Sequence, residues 1–293
     1  MLAAFHRRTF NIAMIPTTRF APSPTGFLHE GHAASALFAW QRARTARGRF
    51  LLRMEDIDPI RCRPAFATAI EEDLAWLGLH WDEPVRRQSA HFADYAALLA
   101  RLADEGLTYP CFCTRSDVAR ATHAPHGPDG TPLYPGTCRH LPVATRRHRL
   151  EQGAPHAWRL NVAAAEARTG PLSFHEAGQG RIACTPAAFG DVVLGRKDAP
   201  ASYHLCVTHD DAAQGVTLVT RAEDLRPATS IHRLLQALLD WPEPAYAHHP
   251  LLLDSQGRRL AKRHGATTLR DLRAAGVPPQ DVLLRARSAL GSA

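Results

Sequence analysis

The apolar positions near the start of the chain change from a strand-like pattern to a helix-like one and back. The β-branched and aromatic run "TTRFAP" predicts a short strand that ends at Pro22. A loop of Pro, Ser and Gly follows, and residues 32–47 are rich in helix formers up to Gly48. "RFLLRMED" then predicts a second strand. Strand, loop, helix and strand in this order form one βαβ unit, which implies parallel strands.

Apolar residues at spacings of three and four predict two helices after this unit. In "AFATAIEEDLAWLG" they are Phe66, Ile70, Leu74 and Leu77, and in "HFADYAALLARLADEG" they are Phe92, Tyr95, Leu98, Leu99 and Leu102. Residues 109–142 break this periodicity and are rich in Pro, Gly, His, Thr and Cys, which favours an inserted module. Strand-like runs return at "FGDVVLGRKD", "YHLCVTHDD" and "GVTLVTRAEDL". A helix is predicted at "ATSIHRLLQALLDW", and one or two short helices in the final 43 residues.

Composition and charge narrow the class of protein. A chain of 293 residues, 45% hydrophobic and 22% charged, is typical of a soluble protein with two domains or one large domain with an insertion. The net charge of +7 favours an acidic partner such as nucleic acid, although solubility alone also explains it. No run of about 18 apolar residues occurs, so we expect no membrane span and a cytoplasmic location. The basic N-terminal segment is expected to be an extension, or to result from a start codon assigned upstream of Met14.

The six cysteines are too few and too uneven for a secreted disulfide framework. Three of them have a spacing that indicates a possible metal site. Cys111 and Cys113 are one residue apart, and Cys138 follows a loop, which suits a tetrahedral zinc site. Three free or buried thiols without metal are the alternative.

The loop "RFAPSPTGFLHEGH" lies between the first predicted strand and helix. Gly26 and Gly31 allow close approach of a ligand, and the helix N-terminus that follows offers unpaired N–H groups to phosphate. His29 and His32 flank Gly31 and are candidates to donate to phosphate oxygens. Neither a dinucleotide fingerprint nor a P-loop is present.

The spelling of this loop resembles the first signature of the class I aminoacyl-tRNA synthetases, in the form used by the glutamyl branch. That signature reads His29-Glu30-Gly31-His32 here. The resemblance implies that His29 and His32 contact the ATP phosphates and stabilise the transition state of adenylate formation. It also implies that Gly31 leaves room for adenine.

Three further segments are similar to the glutamyl branch. "RMEDIDPIR" resembles its second strand and following turn, and "LVTRAEDL" resembles a later strand segment. "GRRLAKRHGA" occupies the place of the second signature, whose five positions are matched by Arg259, Leu260, Ala261, Lys262 and Arg263. Only the fourth position keeps its lysine, and Lys262 is one of two lysines among 35 basic residues. The resemblance therefore makes Lys262 a catalytic and ATP-binding residue.

A glutamate substrate carries two carboxylates and one ammonium, so its pocket needs cations and at least one anion. Arg19 and Arg221 each offer a bidentate clamp for a carboxylate, Glu55 pairs with the ammonium, and Tyr203 offers a hydroxyl. The resemblance places these residues at the amino-acid site, together with Phe20, Ala21, Pro22 and Ser23. For Asp210 and Asp211 in "THDD", three interpretations stay open: they orient Arg221, contact ribose, or end a strand.

The chain ends about 30 residues after Lys262, which leaves room for only one or two helices, "TLRDLRAAG" and "PPQDVLLRARSAL". A discriminating glutamyl-tRNA synthetase carries a large C-terminal helical region that reads the anticodon. The chain therefore resembles the truncated paralogues, the glutamyl-queuosine synthetases, over roughly residues 17–285. This implies an α/β fold: a Rossmann-like class I catalytic domain with a small inserted zinc-binding module, a short C-terminal helical region and no anticodon-binding domain.

The same resemblance implies the reaction and the partners. The enzyme is expected to activate L-glutamate with ATP and Mg²⁺, without tRNA, and to esterify it to the cyclopentenediol of queuosine in the anticodon loop of tRNA(Asp). We expect a monomer. A minimal glutamyl-tRNA synthetase that charges the tRNA 3′ end is the alternative, against which length argues. Intact His29, His32 and Lys262 argue against a third possibility, a non-catalytic RNA-binding or metal-storage protein.

In those paralogues the zinc ligands are Cys, Cys, Tyr and Cys. Carried over by position, one Zn²⁺ per chain is held by Cys111, Cys113, Tyr134 and Cys138. The segment before Tyr134 is longer here, and three histidines compete with the tyrosine: His123, His126 and His140. The predicted organisation is an extension at 1–16, a catalytic domain at 17–108 and 143–245, the zinc module at 109–142, and the second signature with C-terminal helices at 246–293.

Overall fold

The structure, a computed structural model, describes residues 15–121, 126–199, 201–251 and 267–291. Its strands are β1 (Thr17–Phe20), β2 (Arg49–Met54), β3 (Arg86–Arg87), β4 (Thr108–Cys111), β5 (Ala157–Leu160), β6 (Ser173–Glu176), β7 (Gly180–Ala183), β8 (Val193–Gly195), β9 (Leu218–Ala222) and β10 (Ala245–His249). Its helices are α1 (Glu30–Thr45), α2 (Pro64–Trp76), α3 (Phe92–Asp104), α4 (Arg115–Ala121), α5 (Val143–Glu151), α6 (Val162–Thr169), α7 (Tyr203–Ala213), α8 (Thr229–Leu238), α9 (Leu269–Ala274) and α10 (Pro279–Leu290). Within these ranges, no helix is both long and apolar enough to cross a membrane.

Two groups of parallel strands meet at β1 and β9. In the first group β1 pairs with β2, and β2 with β3. In the second, β10 lies between β9 and β6, and β7 is antiparallel to β6. The Thr217 N–H donates to the Thr17 carbonyl at 3.0 Å, and further along both strands Arg19 donates to the Thr220 carbonyl at 2.8 Å. The strands β1 and β9 therefore run in the same direction, and their carboxyl ends share the edge where open α/β sheets bind ligands.

The predicted βαβ unit at the start of the chain is confirmed, since β1 and β2 are parallel neighbours joined by α1. Small side chains let this helix lie close to the strands and to α10. Five alanines of α1 are at most 1% exposed: Ala33, Ala34, Ala36, Ala39 and Ala43. The C-terminal helix α10 packs on α1 with Val282, Ala286 and Leu290 buried. The C-terminal helices thus complete the core around the first loop.

A separate antiparallel sheet carries the cysteine-rich segment. In it β5 lies between β4 and β8. The strand β4 ends at Cys111, and a small buried cluster of Tyr109, Cys111, Tyr134 and Cys138 lies beside it. The cysteines are therefore held at the end of a strand that is hydrogen-bonded to the rest of the fold.

The strand predicted at "YHLCVTHDD" is wrong, because these residues form helix α7. Leu205, Cys206 and Val207 make a continuous apolar run, which is typical of a buried strand. In the structure the helix is buried on most sides, including at Thr208 and Asp211, so it lacks the amphipathic period that identifies a surface helix. Asp210 and Asp211 consequently lie on a helix and do not end a strand.

Candidate active site

The loop between β1 and α1 fixes two histidines at the start of the helix. His29 is the N-cap, and its Nδ1 accepts a hydrogen bond from the Gly31 N–H at 3.1 Å. In return, Nδ1 of His32 accepts from the His29 N–H at 3.2 Å, which closes a capping box. A neutral imidazole that accepts at Nδ1 carries its proton on Nε2. With Nδ1 as the acceptor, each ring carries an N–H at Nε2 at the positive end of α1, an arrangement that suits phosphate oxygens.

The chain after the second predicted signature returns to this loop. Thr268 and His29 form an antiparallel bridge, and the Leu269 N–H donates to the Leu28 carbonyl at 2.8 Å. The chain leaves the sheet for this segment after β10, a direct neighbour of β9. Lys262 and the rest of the second signature lie outside the described residues. The described segment that follows it in sequence, Thr268 and Leu269, is hydrogen-bonded to the first signature and the residue before it.

Arg19 is held by an aspartate from α7. It is 4% exposed, and its Nε donates to the Asp211 carboxylate at 2.8 Å. Arg53, which is fully buried, donates to the same carboxylate oxygen at 2.8 Å. Although burial opposes ionisation, the two guanidinium groups lower the pKa of the Asp211 carboxyl. Asp211 therefore orients Arg19 and Arg53, and not Arg221.

Asp210 fixes α7 against the elements beside it. Its fully buried carboxylate accepts from the Tyr95 hydroxyl and the Gln88 amide, each at 2.9 Å, and pairs with Arg86. Burial opposes ionisation, but a hydrogen bond from His209 and nearby guanidinium groups lower the pKa of Asp210 to about 2. Its contacts are structural, which disfavours the ribose interpretation.

Glu55 lies just past the end of β2, beside the loop that follows β1 and is predicted to contact the amino acid. Its N–H donates to the Pro22 carbonyl at 3.0 Å, and its carboxylate lies 3.4 Å from Arg53. Burial raises the pKa of the Glu55 carboxyl against the opposing field of Arg53 and Arg19. Phe20 at the end of β1 and Pro22 in the loop are buried, and Ser23 is exposed. A carboxylate thus lies within the electrostatic reach of Arg19.

Arg221, on β9, is surrounded by neutral partners. Its Nε donates to His248 at 3.1 Å, one terminal nitrogen donates to His232 at 3.0 Å, and the other donates to Thr229 at 2.6 Å. Among the described residues, no carboxylate lies within 4.0 Å of this guanidinium, which belongs to a residue only 7% exposed. Three of its five N–H groups are used. Arg221 is therefore a buried cation whose charge has no anionic partner in the described structure.

The histidines around Arg221 are held neutral. His232 also contacts His204 at 3.2 Å, and His248 contacts the Glu176 carboxylate at 2.8 Å. Burial and the charge of Arg221 lower the pKa of His232 well below its usual range and that of His248 to about 4. Burial also lowers the pKa of His204 to about 4. His232 and His248 can therefore accept from Arg221 without adding charge.

Tyr203 is the first residue of α7, and its ring lies beside that of His232. The two rings are 5.6 Å apart, and the Tyr203 hydroxyl lies in the electrostatic field of Arg221, Glu55 and Arg19. Burial raises the pKa of this phenol. The structure thus brings Arg19, Glu55, Tyr203 and Arg221 into one electrostatic neighbourhood, with His29 and His32 at the adjacent loop.

Sequence reasoning missed Arg53 and the neutral partners of Arg221. An arginine within a buried parallel strand is a signal for Arg53, because such a strand is normally a continuous apolar run. The partners Thr229, His232 and His248 gave no local signal, since they lie on a helix and a strand that come together only in the fold. A chain with 17 histidines offers too many candidates for composition to select three.

The predicted metal ligands form a compact cluster. The sulfurs of Cys111, Cys113 and Cys138 all lie within 4.8 Å of one another, and Cys113 and Cys138 are 3.5 Å apart. Tetrahedral zinc with bonds of about 2.3 Å requires sulfur separations of about 3.8 Å. The Tyr134 hydroxyl lies 3.7 Å from the Cys113 sulfur and accepts from the Cys138 N–H at 2.7 Å. Three soft sulfurs and one oxygen therefore fit a zinc ion.

The competing histidines are placed differently. His126 is exposed and forms a backbone bridge with Pro132, and the exposed His140 lies beside Gly136. Neither belongs to the sulfur cluster. His123 lies outside the described residues. Within the described chain, Tyr134 is the predicted fourth ligand that lies at the sulfurs.

Comparison with known proteins agrees with the fold. The chain is similar to a glutamate tRNA ligase from Elizabethkingia meningosepticum, whose crystal structure holds its amino acid, with a TM-score of 0.71 and 27% identity. That match covers 86% of this chain and 52% of the ligase, so the chain spans about half of the ligase's length. The glutamate–tRNA ligase of Aquifex aeolicus is 39% identical over 90% of this chain and 54% of its own.

Shorter relatives match over nearly their whole length. A glutamyl-Q tRNA(Asp) synthetase of Rhodobacter capsulatus is 48% identical over 90% of this chain and 97% of its own, and one of Nocardia farcinica is 46% identical over 93% and 84%. The family described as tRNA synthetases class I (E and Q), catalytic domain, matches residues 16–291. The predicted class I catalytic fold is confirmed. The chain belongs to the glutamyl-Q tRNA(Asp) synthetases, a group within the class I (E and Q) tRNA synthetase family.

Proposed function

We propose that this protein activates L-glutamate with ATP and transfers the glutamyl group to queuosine in the anticodon loop of tRNA(Asp). The observation that carries the first half is the grouping of two buried arginines, a carboxylate and a phenol beside the two signature histidines. The second half rests on membership of the glutamyl-Q tRNA(Asp) synthetases.

The pocket matches the charges of glutamate. Within the described structure Arg221 has two unused N–H groups and no anionic partner, so a substrate carboxylate would complete its set of partners. The charge of Arg19 is already compensated by Asp211. Arg19 would therefore orient the substrate through hydrogen bonds and add little net positive charge. Glu55 faces the ammonium, whose positive charge offsets the burial that disfavours the ionised carboxyl. Arg221 is thus the principal carboxylate clamp.

Activation is positioning and charge stabilisation. A carboxylate oxygen of glutamate attacks the α-phosphorus of ATP, the new P–O bond forms, and pyrophosphate leaves with the electrons of the broken bond. His29 and His32 present Nε2–H donors to phosphate oxygens at the N-terminus of α1, and Lys262 supplies a compact ammonium. Mg²⁺ accompanies ATP as part of the substrate.

In the transfer step the hydroxyl oxygen of the acceptor attacks the carbonyl carbon of glutamyl-adenylate. The mixed-anhydride C–O bond breaks, AMP leaves with its electron pair, and the hydroxyl proton is released to solvent. The ester bond forms without further ATP. A defined position for the hydroxyl next to the activated carbonyl is therefore the requirement of this step.

The decisive experiment separates the two possible acceptor hydroxyls. Four tRNA(Asp) substrates are compared: with or without queuosine, and with an ordinary or a 2′,3′-dideoxy 3′-terminal adenosine. We expect glutamate transfer to both queuosine-containing tRNAs and to neither of the others. Transfer that requires the 3′-terminal diol and ignores queuosine would support the glutamyl-tRNA synthetase alternative and refute this proposal.

We further propose that one Zn²⁺ is held by Cys111, Cys113, Cys138 and Tyr134. Bound there, zinc would crosslink the end of β4 to the loop that precedes α5, a structural role. Metal analysis of the purified protein should give about one zinc per chain, and Cys111→Ser should lose most of it, whereas Cys184→Ser should not. Equal zinc in both variants would refute the assignment.

A further inference from the structure

A second cavity adjoins the amino-acid pocket. It has a volume of about 1000 Å³ and extends from the cysteine cluster to the start of α7. Cys113 and Tyr134 line one end, and Tyr203 and His204 line the other. The activated carboxyl of glutamate would therefore be formed at one end of this cavity.

The cavity is larger than glutamate requires. Pockets of about 300–1,000 Å³ hold drug-sized ligands, whereas glutamate has only ten non-hydrogen atoms. Its wall combines apolar surface from Phe189, Val192 and Val193 with polar groups from other elements. One of these, Asp129, lies close enough to His204 to influence its charge. The shape and lining suit a second, partly planar occupant with its own polar groups.

Cations that pair with no described carboxylate lie at the rim of the cavity or near it. Lys197 and Arg115 line the cavity, both are exposed, and neither forms an ion pair with a described carboxylate. Arg149 is also exposed, and its guanidinium lies over the Phe112 ring at 5.3 Å. The Lys197 ammonium donates to the Phe112 carbonyl at 3.2 Å, so Lys197 and Arg149 converge on one residue.

A neighbouring arginine shows the contrast. Arg196 also lines the cavity, but it is paired with Asp198 at 2.6 Å and lies 3.9 Å from Asp58. Its charge is therefore already compensated within the protein. Lys197, Arg115 and Arg149 keep theirs for an external anion, and phosphodiesters are the anions that flank a nucleoside in RNA.

We propose that this cavity binds the acceptor nucleoside, flipped out of a single-stranded loop, while Lys197, Arg115 and Arg149 hold its flanking phosphates. The proposal rests on the proposed function and adds the site through which the acceptor reaches the adenylate. An unstacked loop base that enters a pocket is the usual way in which proteins recognise RNA sequence. Lys197 thereby gains a role that its sequence context did not indicate.

The test uses the full chain and separates activation from transfer. Three variants are compared with wild type: the double variant Lys197→Ala/Arg115→Ala at the rim, Val193→Trp inside the cavity, and Arg42→Ala as the control. Arg42 is exposed and has no acidic partner in the described structure, but it lies on α1, away from this cavity. Glutamate-dependent pyrophosphate exchange measures activation, and glutamate ester formation on queuosine-containing tRNA(Asp) measures transfer.

We expect the rim variant to raise the KM for tRNA about tenfold or more, and to reduce by about two the slope of log KM against log salt concentration, one for each lost phosphate contact. Val193→Trp should reduce transfer at least tenfold, and all three variants should keep wild-type pyrophosphate exchange. A rim variant with wild-type KM and salt slope would overturn the proposal, and so would loss of activation in parallel with transfer. Failure of the proposed function would instead appear in wild type, as transfer independent of queuosine.

Discussion

The neutrality of the partners of Arg221 can be tested by a single substitution. His232 accepts from a terminal nitrogen of Arg221 at 3.0 Å, and burial together with that guanidinium keeps the imidazole uncharged. The variant His232→Glu places a carboxylate where the neutral ring was. The variant His232→Gln is the matched control, because glutamine has nearly the same shape as glutamate and can accept from Arg221 without adding charge.

The magnitude follows from the geometry. Two unit charges about 4 Å apart interact by about 4 kcal/mol at an effective dielectric constant of about 20. The net contribution of a hydrogen bond to a charged group is about 1.5–3 kcal/mol. If the introduced carboxylate takes the charge that a substrate carboxylate would use, that contribution is lost from glutamate binding. Each 1.4 kcal/mol is a factor of ten, so the KM for glutamate should rise about 10- to 100-fold.

Pyrophosphate exchange at varied glutamate and varied ATP is the assay. In His232→Glu we expect the KM for glutamate to rise strongly while the KM for ATP stays within about twofold of wild type. His232→Gln should raise the KM for glutamate by less than about fivefold. Two results would refute the reasoning: equal effects of the two variants, or a rise in both KM values, which would indicate general damage to the site.

Three further predictions concern stability and the second signature. Asp211→Asn removes the carboxylate that Arg19 and Arg53 share, and Arg19 pairs with no other described carboxylate, so urea denaturation should show a loss of about 3–5 kcal/mol, against less than about 1 kcal/mol for the exposed Asp198→Asn. Burial raises the pKa of Asp73 to about 6, and neither carboxylate oxygen has a hydrogen-bond partner among the described residues. Because the folded pKa exceeds the unfolded one, the free energy of unfolding should fall as pH rises from about 4 to about 6, and Asp73→Asn should raise the Tm at pH 8 but not at pH 4. Lys262→Arg should slow pyrophosphate exchange at least about tenfold despite its retained charge, and wild-type exchange would contradict the assignment.

The sequence predicted those parts of the fold whose signals are local. The first βαβ unit, both amphipathic helices and the helix at α8 were predicted because period, breakers and length agreed over each segment. Helix α7 was not, because a helix buried on most sides has no polar face to reveal its period. Its misassignment as a strand also left the roles of Asp210 and Asp211 undecided.

The candidate site also contains residues with a local sequence signal and residues without one. Residues spelled out by signatures, such as His29 and Arg221, could be chosen from the chain. Their environment could not, because Asp211 lies 192 residues from Arg19 and is brought to it only by the packing of α7 beside β1. Arg53 and His232 belong to this second set: they decide how the chosen residues are oriented and charged, and no short segment contains both partners.

The two arginines of the pocket show why this environment matters for selectivity. Arg19 is paired with a carboxylate from its own protein, so its charge is largely compensated before any substrate arrives. Arg221 is equally buried but is surrounded by neutral acceptors, which orient its N–H groups and leave its charge in place. A buried cation gains most from an anionic ligand and little from a neutral amide. Glutamine offers the same shape and hydrogen-bonding reach as glutamate but no charge. If Arg221 clamps the substrate as proposed, the histidines and threonine around it, in place of aspartate or glutamate, would make the pocket select a carboxylate.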